Sequence, residues 1–242
     1  MSIDCSLPKE VLCEACSNSD LYISVVKGLA AHHDGMSREE ISKATGITGG
    51  TLTRVLTNLE RCDFVSRNQN FAHKVKDTIY RLVDFYTLFY YKFILPDVSG
   101  DEQWWSHHFE SRQVSTWQGL TFEIVCLMHT DSIKRALGIS GMATEVSSWR
   151  KAAADGQNGG QIDLVIKRAD RIIHLCEMKF SKSQYRITEA YEQLLRQRLE
   201  LFQSSTKTKF SLVIAFVTTY GIADGLHHSL VHSEVTMEQL FI

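Results

Sequence analysis

Two short apolar runs that flank a charged turn constrain this chain more than any other stretch. Residues 161–166 read Gln-Ile-Asp-Leu-Val-Ile, residues 167–171 are polar, and residues 172–180 read Ile-Ile-His-Leu-Cys-Glu-Met-Lys-Phe. β-Branched runs on both sides of a short polar turn predict a hairpin of two partly buried strands. Such strands need apolar residues on any face that meets a core, and Asp163, Glu177 and Lys179 break that rule.

The same three charged residues are predicted to converge on one place. Side chains alternate across a strand, so Glu177 and Lys179 point to the same face. The adjacent strand can place Asp163 beside them. A carboxylate and an ammonium on a largely apolar strand cost roughly several kcal/mol unless they are paired or bind a metal. Two carboxylates and a lysine together form the strongest chemical signal in the sequence.

Length and charge set broad limits. The chain has 242 residues and a formal net charge of −2, which fits one large domain or two small ones and argues mildly against strong nonspecific DNA binding. No apolar run approaches the roughly 20 residues that span a bilayer, and the N-terminus lacks a secretion signal, so we expect no membrane segment.

Scattered cysteines in apolar segments predict reduced thiols and a cytoplasmic location. Cys13 and Cys16 alone are a weak zinc motif.

The first part of the chain reads as a winged helix-turn-helix. Residues 1–17 are predicted to be a tether, and residues 18–79 the module, with helices over 21–31 and 51–61. Between these helices, Ser37 and Glu40 form a capping box at the start of another helix. A short strand and turn at residues 64–71 complete the pattern of helices and a wing. The outer face of the third helix carries polar and basic residues that suit a DNA groove, or that form the ordinary polar surface of a module packed against another domain: Thr51, Thr53, Arg54, Thr57, Asn58 and Arg61.

The remaining residues divide into a connector and a second domain. Residues 80–116 are rich in aromatics and are predicted to form a helical connector, or seam, between domains. Residues 117–242 begin with an apolar helix that contains Glu123. A strand at 144–150, the hairpin, a helix over 184–203 and a central strand at 210–217 follow. A last turn, helix and tail end the chain.

Carboxylates and a lysine in this arrangement predict phosphodiester hydrolysis. Asp and Glu oxygens are hard ligands that suit Mg²⁺ or Mn²⁺, which keep waters and share substrate phosphates. A lysine beside the metal can orient an attacking water and offset the charge of the transition state.

These residues also resemble a known motif. Asp163 followed by Glu177-Met178-Lys179 on the next strand resembles the Asp…Glu-x-Lys signature of the PD-(D/E)xK nuclease superfamily, whose core is α-β-β-β-α-β. From about residue 20, nearly the whole chain is similar to the C-terminal half of bacterial and archaeal AAA-type, archaeal-ATPase-like proteins. In those proteins a P-loop ATPase precedes a winged helix and a nuclease-like domain. The shared segments are at residues 84–89, 117–123, 161–166 and 235–241.

The resemblance implies a fold, a reaction and a set of partners. It implies an α/β chain with a winged helix and a restriction-endonuclease-like domain that cleaves DNA. Asp163 and Glu177 would bind the metal, Glu123 would complete or position the shell, and Lys179 would face the attacking water. The chain contains no G-x-x-x-x-G-K-[ST] motif, so we expect a C-terminal fragment or a lost ATPase, with ATP bound only by a domain outside this chain. That ATPase domain is an expected partner. Ile162 replaces the superfamily's frequent proline.

Two alternatives stay open at this point. The charged residues can be a salt-bridge cluster in an inactive nuclease fold that binds DNA or a protein partner, or the aromatic seam and C-terminal strand can drive homo-oligomer formation. Several basic residues can meet phosphates or form a solvated face: Lys182, Arg186, Arg196 and Arg198. Lesser site candidates are Glu145, Gln193 and Tyr185.

Overall fold

The protein is a mixed α/β chain in two units. A computed structural model describes residues 19–71, 78–96, 100–151 and 159–242, so the predicted tether and the Cys13 and Cys16 pair within it lie outside the described residues. Unit 1 spans Met1–Gln69 and His73–His107, and unit 2 spans Asn70–Ala72 and His108–Ile242. No helix in the described ranges is both long and apolar enough to cross a membrane.

Unit 1 combines helices with a small antiparallel sheet. Its first six elements are α1 Ser19–Ala30, β1 Met36–Ser37, α2 Arg38–Thr45, α3 Gly49–Arg61, β2 Val65–Asn68 and β3 Ile79–Leu82. The sheet has the order β1-β3-β2, and both strand pairs are antiparallel. The capping box predicted at Ser37 and Glu40 is confirmed, and Gly46 ends α2 in the left-handed conformation with φ of 73°.

The aromatic segment of unit 1 departs from the predicted helix. The strand Ile79–Leu82 pairs with both β1 and β2, so the helical prediction was wrong for residues 80–82. The following residues form α4 Phe85–Phe89, a π-helical turn Tyr90–Ile94 and α5 Trp104–His108. Rings from these elements lie against one another, with Phe93 centroids 5.3 Å and 5.8 Å from Trp104 and Trp105.

Unit 2 is built on a five-stranded mixed sheet. Its elements are α6 Arg112–Met128, α7 Thr130–Ala136, β4 Thr144–Lys151, β5 Gly160–Arg168, β6 Ile172–Lys179, α8 Glu189–Thr206, β7 Ser211–Thr218 and β8 Val231–Thr236, with 3-10 turns at His228–Leu230 and Met237–Leu240. The sheet order is β4-β5-β6-β7-β8. The first two pairs are antiparallel, and the last two are parallel.

Several predicted elements of unit 2 are confirmed and others need correction. The hairpin of β5 and β6 forms, and β7 lies inside the sheet between β6 and β8, as predicted for a strand that is apolar on both faces. The helix predicted from residue 184 begins at Glu189, because Thr188 caps it and the backbone of Tyr185 pairs with Gly221 and Ala223. The last residues of the chain were predicted to form a turn, a helix and a tail. That prediction missed β8, which pairs with β7 at the edge of the sheet.

The two faces of the sheet meet different helices. Cys176 and Met178 of β6 pack with Phe122 and Cys126 of α6 on one face. Leu175 packs with the fully buried Phe202 of α8 on the other. Because β6 alternates between these faces, Glu177 and Lys179 belong to the α8 face.

Candidate functional site

The two central strands separate where the predicted site residues begin. Pairing between β5 and β6 runs from Lys167 and Ile173 to Leu164 and Cys176. Beyond that point β5 stays paired with β4 as far as Gly160, whereas β6 stays paired with β7 as far as Lys179. The strands thus form a fork, and Asp163 and Glu177 are the next residues along its two arms.

A bulge lies at the base of this fork. In the β4–β5 ladder, Ser147 pairs with Val165 and Trp149 with Ile162, so Asp163 and Leu164 together face the single residue Ser148. A bulge of this kind bends the strand and re-aims a side chain, and bulges are frequent beside active sites. Asp163 accepts a hydrogen bond of 2.9 Å from Nε2 of Gln161.

Glu177 is the centre of a dense polar cluster. Its Oε2 accepts a hydrogen bond of 2.8 Å from the Tyr191 hydroxyl. Arg198 Nη1 donates to Oε1 and lies 3.1 Å from Oε2, and Lys179 Nζ lies 3.6 Å from Oε2. The Glu177 side chain is only 13% exposed. One carboxylate with little solvent is therefore held by a hydroxyl and two cations.

Tyr191 contacts both charged residues of the Glu-x-Lys motif. The Lys179 ammonium lies 5.3 Å from the centre of the Tyr191 ring, a cation–π contact. Burial, and then the Glu177 charge, raise the pKa of Tyr191 far above its usual value. The hydroxyl therefore stays protonated and acts as a donor to Glu177. The same two causes raise the pKa of Tyr185, whose ring lies 6.0 Å from that of Tyr191.

Helix α8 supplies two partners of Glu177 that sequence reasoning missed. Tyr191 and Arg198 are about two helical turns apart and lie on the face that buries Leu195. Sequence reasoning did not single out Tyr191, and it gave Arg198 only as a residue that can meet phosphates or form a solvated face. Their spacing on one stripe, with a buried leucine between them, is the signal that could have identified a polar pair aimed at the sheet.

Glu123 occupies a different part of unit 2. Its neighbours Phe122 and Cys126 pack against the sheet face that carries Cys176 and Met178. The sheet thus separates the body of α6 from the helix that holds Glu177. The fold brings Glu177, Lys179, Tyr191 and Arg198 into contact. It places Asp163 on β5, next to Leu164, the last residue of β5 that pairs with β6. Glu123 lies on α6.

The predicted nucleic-acid contacts on α3 divide into exposed and engaged residues. Arg54 and Arg61 are exposed, whereas Thr57 and Asn58 are half-buried. Asn58 Nδ2 donates a hydrogen bond of 2.7 Å to the hydroxyl of Tyr22, which is 5% exposed. Asn58 therefore joins α3 to α1, whereas Arg54 and Arg61 lie on the exposed side of α3.

The remaining basic and acidic candidates mostly form ion pairs. Lys182 pairs with Glu110 at 2.5 Å and lies over the Phe109 ring at 5.2 Å. Arg196 pairs with Glu192, and Glu145 with Lys167, at 2.6 Å and 3.1 Å. Arg186 and Gln193 are exposed.

The donor set suits a hard divalent cation with few protein ligands. Within the described ranges, no group of three or more His, Cys, Asp and Glu side chains is arranged to hold a metal. Mg²⁺ needs fewer, since it is commonly held by one or two carboxylates together with waters and substrate phosphates. A carboxylate offers about four lone-pair positions, and in Glu177 the Tyr191 hydroxyl and the Arg198 guanidinium already meet them, so a metal on Glu177 has to compete with Arg198.

The fork, the bulge and the Glu177 cluster are features of this chain for which the comparisons with known proteins supply no counterpart, because neither the models of known protein families nor the curated proteins match it.

Proposed function

We propose that unit 2 is a metal-dependent nuclease that hydrolyses phosphodiester bonds in DNA. The observation that carries the proposal is the fork between β5 and β6, which has a bulge at Asp163 on one arm and Glu177-x-Lys179 on the other. A fork opens the backbone edges of two strands beside charged side chains, in a place where a continuous sheet would bury them. An acidic residue and a Glu-x-Lys pair at that opening suit Mg²⁺ or Mn²⁺ and a phosphate.

The order of elements supports the finer fold in the proposal. From α6 through β4, β5, β6 and α8 to β7, unit 2 runs α-β-β-β-α-β, which is the order of the PD-(D/E)xK core. Unit 1 runs helix, strand, two helices and two strands, the order of a winged helix. An ATPase domain as partner, supplied in the AAA-type proteins that the sequence resembles, belongs to the same proposal.

Each residue has a role in this reaction. Asp163 and Glu177 hold the metal, and Tyr191 and Lys179 hold Glu177 in position. The metal, when bound, supplies Lewis-acid stabilisation and lowers the pKa of a coordinated water. The Lys179 ammonium orients the attacking water and offsets negative charge at the phosphorus. Glu123 completes or positions the metal shell from α6, as the resemblance implies.

Lysine replacement provides the direct test. Lys179→Ala should reduce Mn²⁺- or Mg²⁺-dependent cleavage of supercoiled and linear DNA by about 100-fold or more, the usual effect of losing one electrostatic group at the reacting centre. The matched control is Lys167→Ala, because Lys167 lies on β5 and pairs with Glu145 away from the fork. The proposal would be refuted if activity survives in Lys179→Ala, or if activity falls equally in Lys179→Ala and in the control. It would also be refuted if the unmodified protein cuts no DNA form in either metal.

A second candidate, a non-catalytic binding module, is favoured by a different observation. Glu177 is already engaged by Tyr191, Arg198 and Lys179, as in a structural salt-bridge cluster. In this case α3 binds DNA through Arg54 and Arg61. Replacing both arginines with alanine should weaken metal-free DNA binding in a gel-shift titration, whereas Asp163→Ala should leave it unchanged. Loss of binding in Asp163→Ala with the fold intact would count against this module.

A further inference from the structure

We propose that Arg198 couples metal binding to nucleic-acid binding, a step that rests on the nuclease function proposed above. In the free protein its guanidinium neutralises Glu177 and keeps divalent cations out. When a phosphate enters the fork, Arg198 turns from Glu177 to that phosphate and leaves the carboxylate to the metal. Arg198 is thus a positioning residue that makes the site accept metal and substrate together.

The contacts of Glu177 show why a metal and Arg198 compete. Arg198 Nη1 approaches both carboxylate oxygens, and Lys179 adds a second cation at 3.6 Å. The immediate surroundings of Glu177 therefore carry more positive than negative charge. A divalent cation placed on the same oxygens would be repelled by the guanidinium over a short distance in a site with little solvent screening. Metal binding becomes favourable once that guanidinium finds another anion.

Arginine is well suited to move from the Glu177 carboxylate to a phosphate. Its planar guanidinium binds carboxylates and phosphates with the same paired geometry, so a phosphate can replace Glu177 with little loss. The side chain is 30% exposed, more than twice the exposure of Glu177. It also lines an open groove of about 930 Å³ between α8 and the first residues of β5. The guanidinium can therefore leave the carboxylate without disturbing the buried side of α8.

Calorimetry on three proteins tests the coupling without relying on activity. Mn²⁺ is titrated into the full chain, into Arg198→Gln and into Arg196→Gln, each with and without a short duplex whose phosphodiesters are hydrolysis-resistant phosphorothioates. Arg196 is the matched control because it is on the same helix but pairs with Glu192. We expect the duplex to tighten Mn²⁺ binding to the unmodified chain by about 5- to 150-fold, the usual range for two coupled sites.

The variants should separate the two ligands. Arg198→Gln should bind Mn²⁺ alone at least about tenfold more tightly than the unmodified chain, and the duplex should add little. Arg196→Gln should behave like the unmodified chain. Linkage also requires that Mn²⁺ tighten duplex binding to the unmodified chain by the same factor as the duplex tightens Mn²⁺ binding. That reciprocal titration needs no variant, so it stands even if Arg198→Gln does not fold.

The outcomes distinguish this inference from the function beneath it. If the unmodified chain binds Mn²⁺ equally well with and without duplex, and Arg198→Gln changes nothing, the coupling is wrong and the metal site stands. The Asp163→Ala variant is titrated with Mn²⁺ as well. If the unmodified chain and Arg198→Gln bind Mn²⁺ no better than Asp163→Ala does, with or without duplex, the nuclease proposal itself fails.

Discussion

The two ends of β6 carry polar side chains in opposite settings. Near its start, His174 lies between paired neighbours, Ile166 of β5 and Val213 of β7, and is 2% exposed. At its end, Glu177 and Lys179 lie where β5 has moved away, and their side chains are 13% and 27% exposed. Both ends have an arginine within contact distance, but the two arginines meet different partners.

At the paired end the arginine meets a neutral ring. Arg168 Nη1 lies 3.1 Å from Nε2 of His174. Arginine can only donate, so Nε2 accepts and the proton of the neutral imidazole is on Nδ1. Burial, followed by the charge of Arg168, lowers the pKa of His174 to about 4. Where the sheet is continuous, the polar group remains uncharged.

At the forked end the arginine meets an anion. Glu177 is held by Arg198, Lys179 and Tyr191, and each of these donors is at least partly reachable from solvent. The comparison indicates that strand pairing decides which polar group is enclosed and which keeps some contact with solvent. A charged residue in a strand is a site candidate mainly where the neighbouring strand diverges.

The largest expected effect is a pH dependence of the free energy of unfolding, and it comes from His174 near the enclosed start of β6. The unfolded chain protonates His174 near pH 6.5, whereas the folded chain resists protonation until about pH 4. The unfolded state binds more protons in this window, so the free energy of unfolding falls as pH drops from 6.5 to 4. The loss from this residue is up to about 3 kcal/mol, at 1.36 kcal/mol per pKa unit, and above pH 6.5 its contribution is constant.

Urea unfolding across pH 4 to 7 checks this effect. His174→Gln should flatten the pH dependence, and the exposed His108→Gln should leave it as in the unmodified chain. If the slope is the same in all three proteins, His174 is not the enclosed neutral base that the comparison requires.

A smaller effect is expected at the fork. Arg198→Ala should lower the free energy of unfolding by about 1–2 kcal/mol, because Glu177 has little solvent but keeps Tyr191 and Lys179. Arg196→Ala should cost no more than about 0.5 kcal/mol, since that arginine is 53% exposed in its pair with Glu192. Denaturant titrations at pH 7 compare the two. Equal losses would mean that the forked end is no more constrained than an ordinary helix surface.

Local patterns predicted the elements that local chemistry controls. The β5–β6 hairpin follows from β-branched runs around a polar turn, and α2 follows from its capping box. The charged positions Glu177 and Lys179 stood out because they interrupt an apolar strand. Each of these signals is contained within about twenty residues of sequence.

Long-range pairing controls what the sequence did not reveal. The fork exists because β5 follows β4 while β6 follows β7, and no local pattern reports which neighbour a strand keeps. The start of α8 moved to Glu189 because Tyr185 pairs with residues almost forty positions later. The contacts of Tyr191 and Arg198 with Glu177 depend on the same tertiary placement.

The smallest expected effect is the loss of stability when the Tyr191 hydroxyl is removed while the two cations that contact Glu177 remain. Tyr191→Phe removes one donor to Glu177 but leaves Arg198 and the ring that Lys179 covers. We expect a loss of about 0.5–1 kcal/mol in the free energy of unfolding, the net value of one hydrogen bond with its acceptor still satisfied.

Tyr185→Phe is the control for this hydroxyl, because the ring of Tyr185 packs against Phe216 and the substitution keeps that ring. A double-mutant cycle between Tyr191→Phe and Arg198→Ala then measures how strongly the two donors depend on each other. Strictly additive losses would show that Glu177 binds its donors independently. A larger combined loss would show that each donor compensates for the other, as expected for a carboxylate that is left charged in a setting with little water.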